Sequence, residues 1–294
     1  VNPNPRQALI RIIRLALQAN QPKALLAPYL TAFPIDRPIY VYALGKAAYQ
    51  MAQAVTDYMT TQSGLRLEQG LVITRYGYAE GQLLGFDILE AGHPQPDEHS
   101  LLAAERTINF FDHLPADAFL VLLLSGGGSS LLEKPLEGKT LSEIRERIAN
   151  LFTQGVGIET INRERKLLSA VKGGKLYPLI NGYRTLLLAM SDVPGDNLAT
   201  LASNPFLPET DEGKVMLTTA GILADNSAIQ TRVIVNNAAF CHAMIEAAPI
   251  AMPELPPDHI HLLSTSVSGD ATLAGKELAR FAEAIVLRPD RGFT

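Results

Sequence analysis

The feature that most constrains this chain is the run Ala118–Leu132, AFLVLLLSGGGSSLL. Phe119–Leu124 are apolar without alternation, so the segment predicts a strand buried on both faces, in the middle of a parallel sheet. The run then breaks into Ser125, Gly126, Gly127, Gly128, Ser129 and Ser130. Consecutive glycines free the backbone to take positive φ and let an anion approach closely. Their amides and the flanking hydroxyls form a candidate cradle for phosphate or carboxylate at the carboxyl end of a strand. Open α/β sheets place their ligands there.

Other segments repeat the strand-then-helix rhythm. Strands are predicted at 38–44, 70–74, 86–90, 184–190, 232–235 and 259–263, and helices at 6–19, 22–30, 98–112, 211–223, 238–248 and 269–282, with a further helix after Thr140. A last apolar run, AIVL, follows the final helix. In the first helix Leu9, Ile12, Ile13, Ala16 and Leu17 fall on one stripe. Strands alternating with helices mean an α/β fold with a largely parallel, Rossmann-like sheet and helices on both faces.

Two further strand ends carry chemistry. The strand ending at Leu44 runs into Gly45 and Lys46, which puts a lysine at a helix start, where its charge opposes the macrodipole. Such a local conflict points to function. The strand 184–190 ends in Ser191, Asp192, Val193, Pro194, Gly195 and Asp196. Two carboxylates four residues apart suit Mg²⁺, or supply a general base, or simply form an Asx-turn pair. The segment 158–176 groups Asn162, Arg163, Arg165, Lys166, Lys172 and Lys175; most of these charges read as a solvated helix face. Lys172 with Gly173–Gly174 reads as a seat for substrate phosphate or carboxylate. His93, between a glycine and a proline in a rigid loop, reads as a turn residue in preference to a catalytic one.

Composition narrows the function. The net charge is −5, with no basic run and no Trp, which argues against nucleic acid. One cysteine excludes an internal disulfide and a thiolate metal site. No apolar stretch reaches the ~20 residues of a membrane span. A cytoplasmic protein acting on a small molecule is the default expectation, with oligomerisation left open.

Taken together, ALGKAA (43–48), EAGHPQPDE (90–98), LLSGGGSSLL (123–132), INRERKLLSAVKGGKL (161–176) and SDVPGD (191–196) resemble the class II glycerate 2-kinase family, older members of which are labelled hydroxypyruvate reductase. The resemblance implies phosphorylation of D-glycerate at its 2-position with ATP and Mg²⁺, in a cleft between two domains. It implies Lys46 and Asp192 as catalytic residues and Asp192 with Asp196 as metal ligands. Ser125, Gly126, Gly127, Gly128, Ser129, Asn162, Arg165 and Lys172 would then bind substrate or phosphate. Residues 1–294 correspond to the amino-terminal α/β domain, and the family's second, glycine-rich domain with its active-site arginine is expected to complete the site as a separate domain or chain. The sequence departs from the family at Leu167 (usually histidine), at Asn197 (usually aspartate) and at Asn204-Pro205-Phe206 (usually Gly-Pro-Thr). No Walker-type GxxxxGK[ST] sequence is present, so the kinase would not be of the P-loop kind. Two rival readings are an NAD(P)-dependent reductase, which wants a G-x-G-x-x-G turn that neither glycine segment provides, and a non-enzymatic sugar-acid or phosphosugar binding module.

Overall fold

The computed structural model describes residues 4–32, 35–207, 229–256, 259–265 and 271–287. The central sheet has six parallel strands in the order β3-β2-β1-β4-β5-β6. These are β1 (Ile39–Leu44), β2 (Leu67–Arg75), β3 (Phe86–Ala91), β4 (Phe119–Ser125), β5 (Arg184–Met190) and β6 (Ile229–Val235). Chain order runs outward from β1 to one edge, returns to β4 beside β1, and runs outward again. The order therefore reverses between β1 and β4, and the two loops leaving that pair diverge to open a crevice.

Every residue of β4 is buried, and its side chains alternate between two cores. Leu120, Leu122 and Leu124 pack with Tyr42, Ile73, Phe110, Phe111 and Phe206 on one face. Phe119, Val121 and Leu123 pack with Leu26, Met51, Val55 and Leu188 on the other. The first face is covered by α4 (Glu98–Asp112), α5 (Gly128–Leu131) and α8 (Tyr177–Ile180), the second by α2 (Pro22–Ala32) and α3 (Ala48–Thr61). An unbroken apolar strand is what a sheet buried on both sides requires.

The helix starts follow from local chemistry. Asp97 caps α4, and Thr140 caps α6 (Leu141–Thr153) in a reciprocal box with Glu143. Helix α7 (Ile158–Leu168) lies against α6, joined by Arg147 Nε to Glu164 Oε2 at 3.0 Å.

Several expectations need correction. Helix α1 (Pro5–Ala19) buries Ala8, Ile12 and Ala16, whereas Leu9, Ile13 and Leu17 are exposed. It packs on α9 (Asn237–Ala251), whose Ala247, Ala248 and Ala251 meet Ile12, so the contact centres on small residues one edge away from the expected stripe. Residues 259–263, expected as a strand, join no strand of the described sheet; β6 is its last member. The AIVL run is not separate: α10 (Ala271–Leu287) continues through it. The helix expected over 211–223 lies outside the described residues. No described helix is long and apolar enough to cross a membrane.

Lys172, read from the sequence as an anion ligand, is 1% exposed. Its ammonium meets Leu132 O at 2.8 Å, Glu133 Oε2 at 2.6 Å and Ser169 Oγ at 3.4 Å. All three donors are engaged inside the protein, so none reaches a ligand from solvent. The Gly173 and Gly174 amides are likewise taken, by Ser203 O and Asn204 O. Burial pulls the Lys172 ammonium below the ordinary lysine range, and Glu133 opposes that. The pair fastens the segment after α7 to the end of α5. Lys172→Met should leave the Glu133 carboxylate buried without a cation and cost ~3–5 kcal/mol. Lys172→Met with Glu133→Leu should restore most of that. Urea-unfolding midpoints of the single and double variants check it; a single variant as stable as the parent would show that the pair holds nothing.

Candidate functional site

The crevice between β1 and β4 is built by glycines that let the two loops touch. Gly45 has φ +128°, and a Cβ there would lie 2.2 Å from Ser125 Oγ and 2.4 Å from Ser125 O. The Lys46 amide donates to Gly126 O at 2.9 Å, and the Ala47 amide to Ser125 Oγ at 3.0 Å. Ser125 is therefore a clamp between the loops, and its hydroxyl faces its own fold rather than a ligand.

The triglycine then serves as a floor. Asp192, at the end of β5, lays its carboxylate where a Gly126 side chain would be, with Oδ2 2.0 Å from that Cβ position. Over Gly127 (φ +89°) sit His93 Nε2 and Lys46 Cγ, each 3.0 Å from where its Cβ would be. Gly128 admits Ala202 and Leu44. Lys46 Nζ lies 3.7 Å from Asp192 Oδ2, and both side chains are open to solvent. The amides of Gly126 and Gly127 donate to no atom of the described residues. Two free N–H groups, an ammonium, a carboxylate and an imidazole thus share one crevice.

His93 is the residue the sequence reading passed over. Burial is the main cause that lowers its proton affinity, with Lys46, Arg75 and Arg165 adding to the effect and Asp192 opposing it. These influences favour the neutral imidazole over the charged one. The available signal was its position just beyond the carboxyl end of β3, where Gly92 lets the chain turn against Gln95 and Asp97.

Asp196 is not brought to the same point. It has φ +54°, and its Oδ2 accepts from Asn236 Nδ2 at 2.5 Å, at the start of α9. Ser129 Oγ bonds Ser203 Oγ at 2.7 Å. Arg165 is half-buried and donates to Asn162 Oδ1 at 3.2 Å. Among the described residues there is no group of three or more His, Cys, Asp and Glu arranged to hold a metal ion.

The departures have physical accounts. Asn204 occupies a left-handed position (φ +46°) that its short amide tolerates, and its side chain holds both the amide and the carbonyl of Leu207. Phe206 fills the core edge-on to Tyr42 and Phe111. Asn197 closes a turn onto Ala199 N, and Leu167 is exposed.

The sequence model described as "Domain of unknown function (DUF4147)" matches residues 8–233. The chain belongs to this family. It is 39% identical over 205 residues to a D-glycerate 2-kinase of Thermotoga maritima, covering 70% of this chain and 48% of that protein. It is 42% identical over 173 residues to a glycerate 2-kinase of Pyrococcus horikoshii, covering 59% and 38%. The crystal structure of a glycerate kinase from Thermotoga maritima superposes with a TM-score of 0.77 at 29% identity, over 97% of this chain and 71% of that one. By sequence, the chain thus spans about half or less of the length of these curated relatives.

The shared crevice can be tested without any assay of activity. In Lys46→Met the His93 midpoint, below 6.5 in the parent, should rise, because one of the cations acting on it is gone. An NMR titration of the ring Cε1–H reads this; an unmoved midpoint would show that the two side chains do not share a site. Because the folded-state value is depressed, His93 contributes stability above pH ~6.5 that is lost as pH falls from there through the folded midpoint. The Lys46→Met protein should lose less in that window.

Proposed function

We propose that this chain forms the amino-terminal wall of an ATP-dependent D-glycerate 2-kinase. The observation that carries the reading is the placement of Lys46 and Asp192 across the free amides of Gly126 and Gly127, at the point where strand order reverses. The similarity to glycerate 2-kinases supports it.

Phosphoryl transfer demands positioning and charge stabilisation more than covalent chemistry from the protein. The C2 hydroxyl oxygen of glycerate forms a bond to the γ-phosphorus, the bond to ADP breaks, and the hydroxyl proton leaves. Lys46 and the two glycine amides supply positive charge and oriented donors for the transferred group. Neutral His93 and the carboxylate of Asp192 are the groups able to accept the proton. Asp192 has an exposed carboxylate, which fits Mg²⁺ carried by the nucleotide, since that ion takes one or two protein carboxylates alongside phosphates and water. Bound there, the ion would neutralise charge on the phosphates. Asp196, bonded to Asn236, orients the β5 loop and stands one step further from such a metal.

All these groups lie on strand ends of one sheet, so they line one wall. The facing wall, which excludes water and brings donor to acceptor, would come from a further domain or chain. A soluble, cytoplasmic small-molecule kinase is the setting this implies.

The reductase alternative draws on the strand order, which is that of dinucleotide-binding folds. There, however, the turn after β1 presents backbone to a pyrophosphate. Here the Lys46 and Ala47 amides are already bonded to Gly126 O and Ser125 Oγ. That disfavours a dinucleotide in this turn.

In a coupled ADP-release assay with D-glycerate, ATP and Mg²⁺, residues 1–294 alone should stay at background and gain turnover on addition of a complementary domain. Lys46→Ala should then lower that turnover by at least ~10²-fold without a change in melting temperature. Turnover of ~1–10³ s⁻¹ by the chain alone would refute the two-wall arrangement. NADH-dependent reduction of hydroxypyruvate would refute the kinase.

A further inference from the structure

Beside the triglycine floor is a pocket of about 230 Å³ that none of the Lys46, Asp192 or glycine contacts fills. It opens between α6, α7, the loop carrying Pro94 and the short helix α5 that carries Ser129. Pro94 follows His93 and Ser129 follows Gly128, so pocket and crevice flank the same loops. One side is apolar, with Ile144, Ile148 and Phe152 of α6; the other carries Arg165, Ser129 and Glu133, whose carboxylate is held by Lys172.

Two guanidinium groups line this pocket, and they differ. Arg145 is engaged: its Nε donates to Pro96 O at 2.6 Å, and its Nη1 lies 3.6 Å from Glu98. That contact fixes α6 over the pocket. Arg165 makes one hydrogen bond, to Asn162 Oδ1, and its guanidinium lies 5.9 Å from the Phe152 ring centre. It makes no ion pair among the described residues, and nearby Glu133 is bound by Lys172. A guanidinium has five N–H donors in a fixed fork that matches a carboxylate. Glu133 offsets part of the cost of burying the Arg165 charge but is itself bonded to Lys172, so the guanidinium keeps donors for an anion. The pocket is smaller than the roughly 300–1,000 Å³ of sites that enclose drug-sized ligands. That size suits a small acid rather than a nucleotide.

We infer that this pocket seats the carboxylate and carbon chain of the hydroxy acid, with Arg165 as the anion anchor and Ile148 and Phe152 as the wall that limits chain length. The inference rests on the kinase reading, and assigns to this wall the selection of the acid. The C2 hydroxyl would then point back over Gly127 toward Lys46 and His93.

Ligand-detected NMR titration of residues 1–294 with D-glycerate and with D-2-hydroxyhexanoate tests this. D-Glycerate should bind the parent more tightly than the longer acid. Arg165→Met should weaken D-glycerate about tenfold to a hundredfold, the scale of a charged hydrogen bond removed from a half-buried site. Phe152→Ala should improve the longer acid relative to D-glycerate. If the parent binds neither acid, this inference falls, while the kinase reading stands or falls by the coupled assay with the complementary domain. If the parent binds D-glycerate and Arg165→Met binds it equally, the inference alone falls. Should Arg165→Met melt early, Arg165→Lys decides instead: it keeps the charge but loses the fork, and unchanged affinity would refute the anchor. An unaltered preference in Phe152→Ala would refute the wall.

Discussion

The site depends on one steric constraint: the ends of β1 and β4 approach so closely that neither loop has room for an ordinary side chain at the contact. Gly45 lies against Ser125, and Gly126 lies beneath Asp192. A Cβ at Gly45 would overlap backbone atoms, which cannot swing aside as the tip of a side chain can. The hydrogen bonds from Lys46 N and Ala47 N across the gap use that proximity to lock the start of α3 onto the β4 loop. Lys46 therefore leaves the sheet from a fixed backbone, although its long side chain reaches solvent.

Around this contact, charge is arranged in two ways. Inside, Lys172 and Glu133 neutralise each other where water does not reach, and so join the segment after α7 to the end of α5. On the surface of the crevice, Lys46, Arg75 and Arg165 all lower the proton affinity of His93. A half-open cleft with several cations, one exposed aspartate and a neutral imidazole favours an anionic ligand. The buried pair and the open cations have the same residue types and opposite purposes; burial separates them.

Backbone strain is concentrated in the segment that supports the floor. Asp196, Ala202, Ser203 and Asn204 all have positive φ without being glycine. Ala202 packs under Gly128, Ser203 bonds Ser129, and Asn204 takes the Gly174 amide. Non-glycine residues persist in such conformations only where their surroundings over-determine them; for Ala202, Ser203 and Asn204 those surroundings are the triglycine loop and the segment at Gly174, and for Asp196 the bond to Asn236.

The sequence by itself determined the architecture, because a strand buried on both faces must be apolar throughout and a helix start needs its capping groups. Phe119–Leu124 and the helix start after Thr140 were legible for that reason. The run 259–263 and the stripe on α1 misled, because a local apolar pattern describes a face without saying whether a neighbour covers it. Only the tertiary structure separated Lys172 from Lys46. Both are lysines beside glycines, but one has three acceptors around it in the core and the other stands over a crevice. The same holds for His93, whose loop is distant in sequence from β4 and reaches Gly127 only when β3, β2, β1 and β4 are laid side by side. Which charges are open to a ligand is decided by long-range packing, and no local pattern records it.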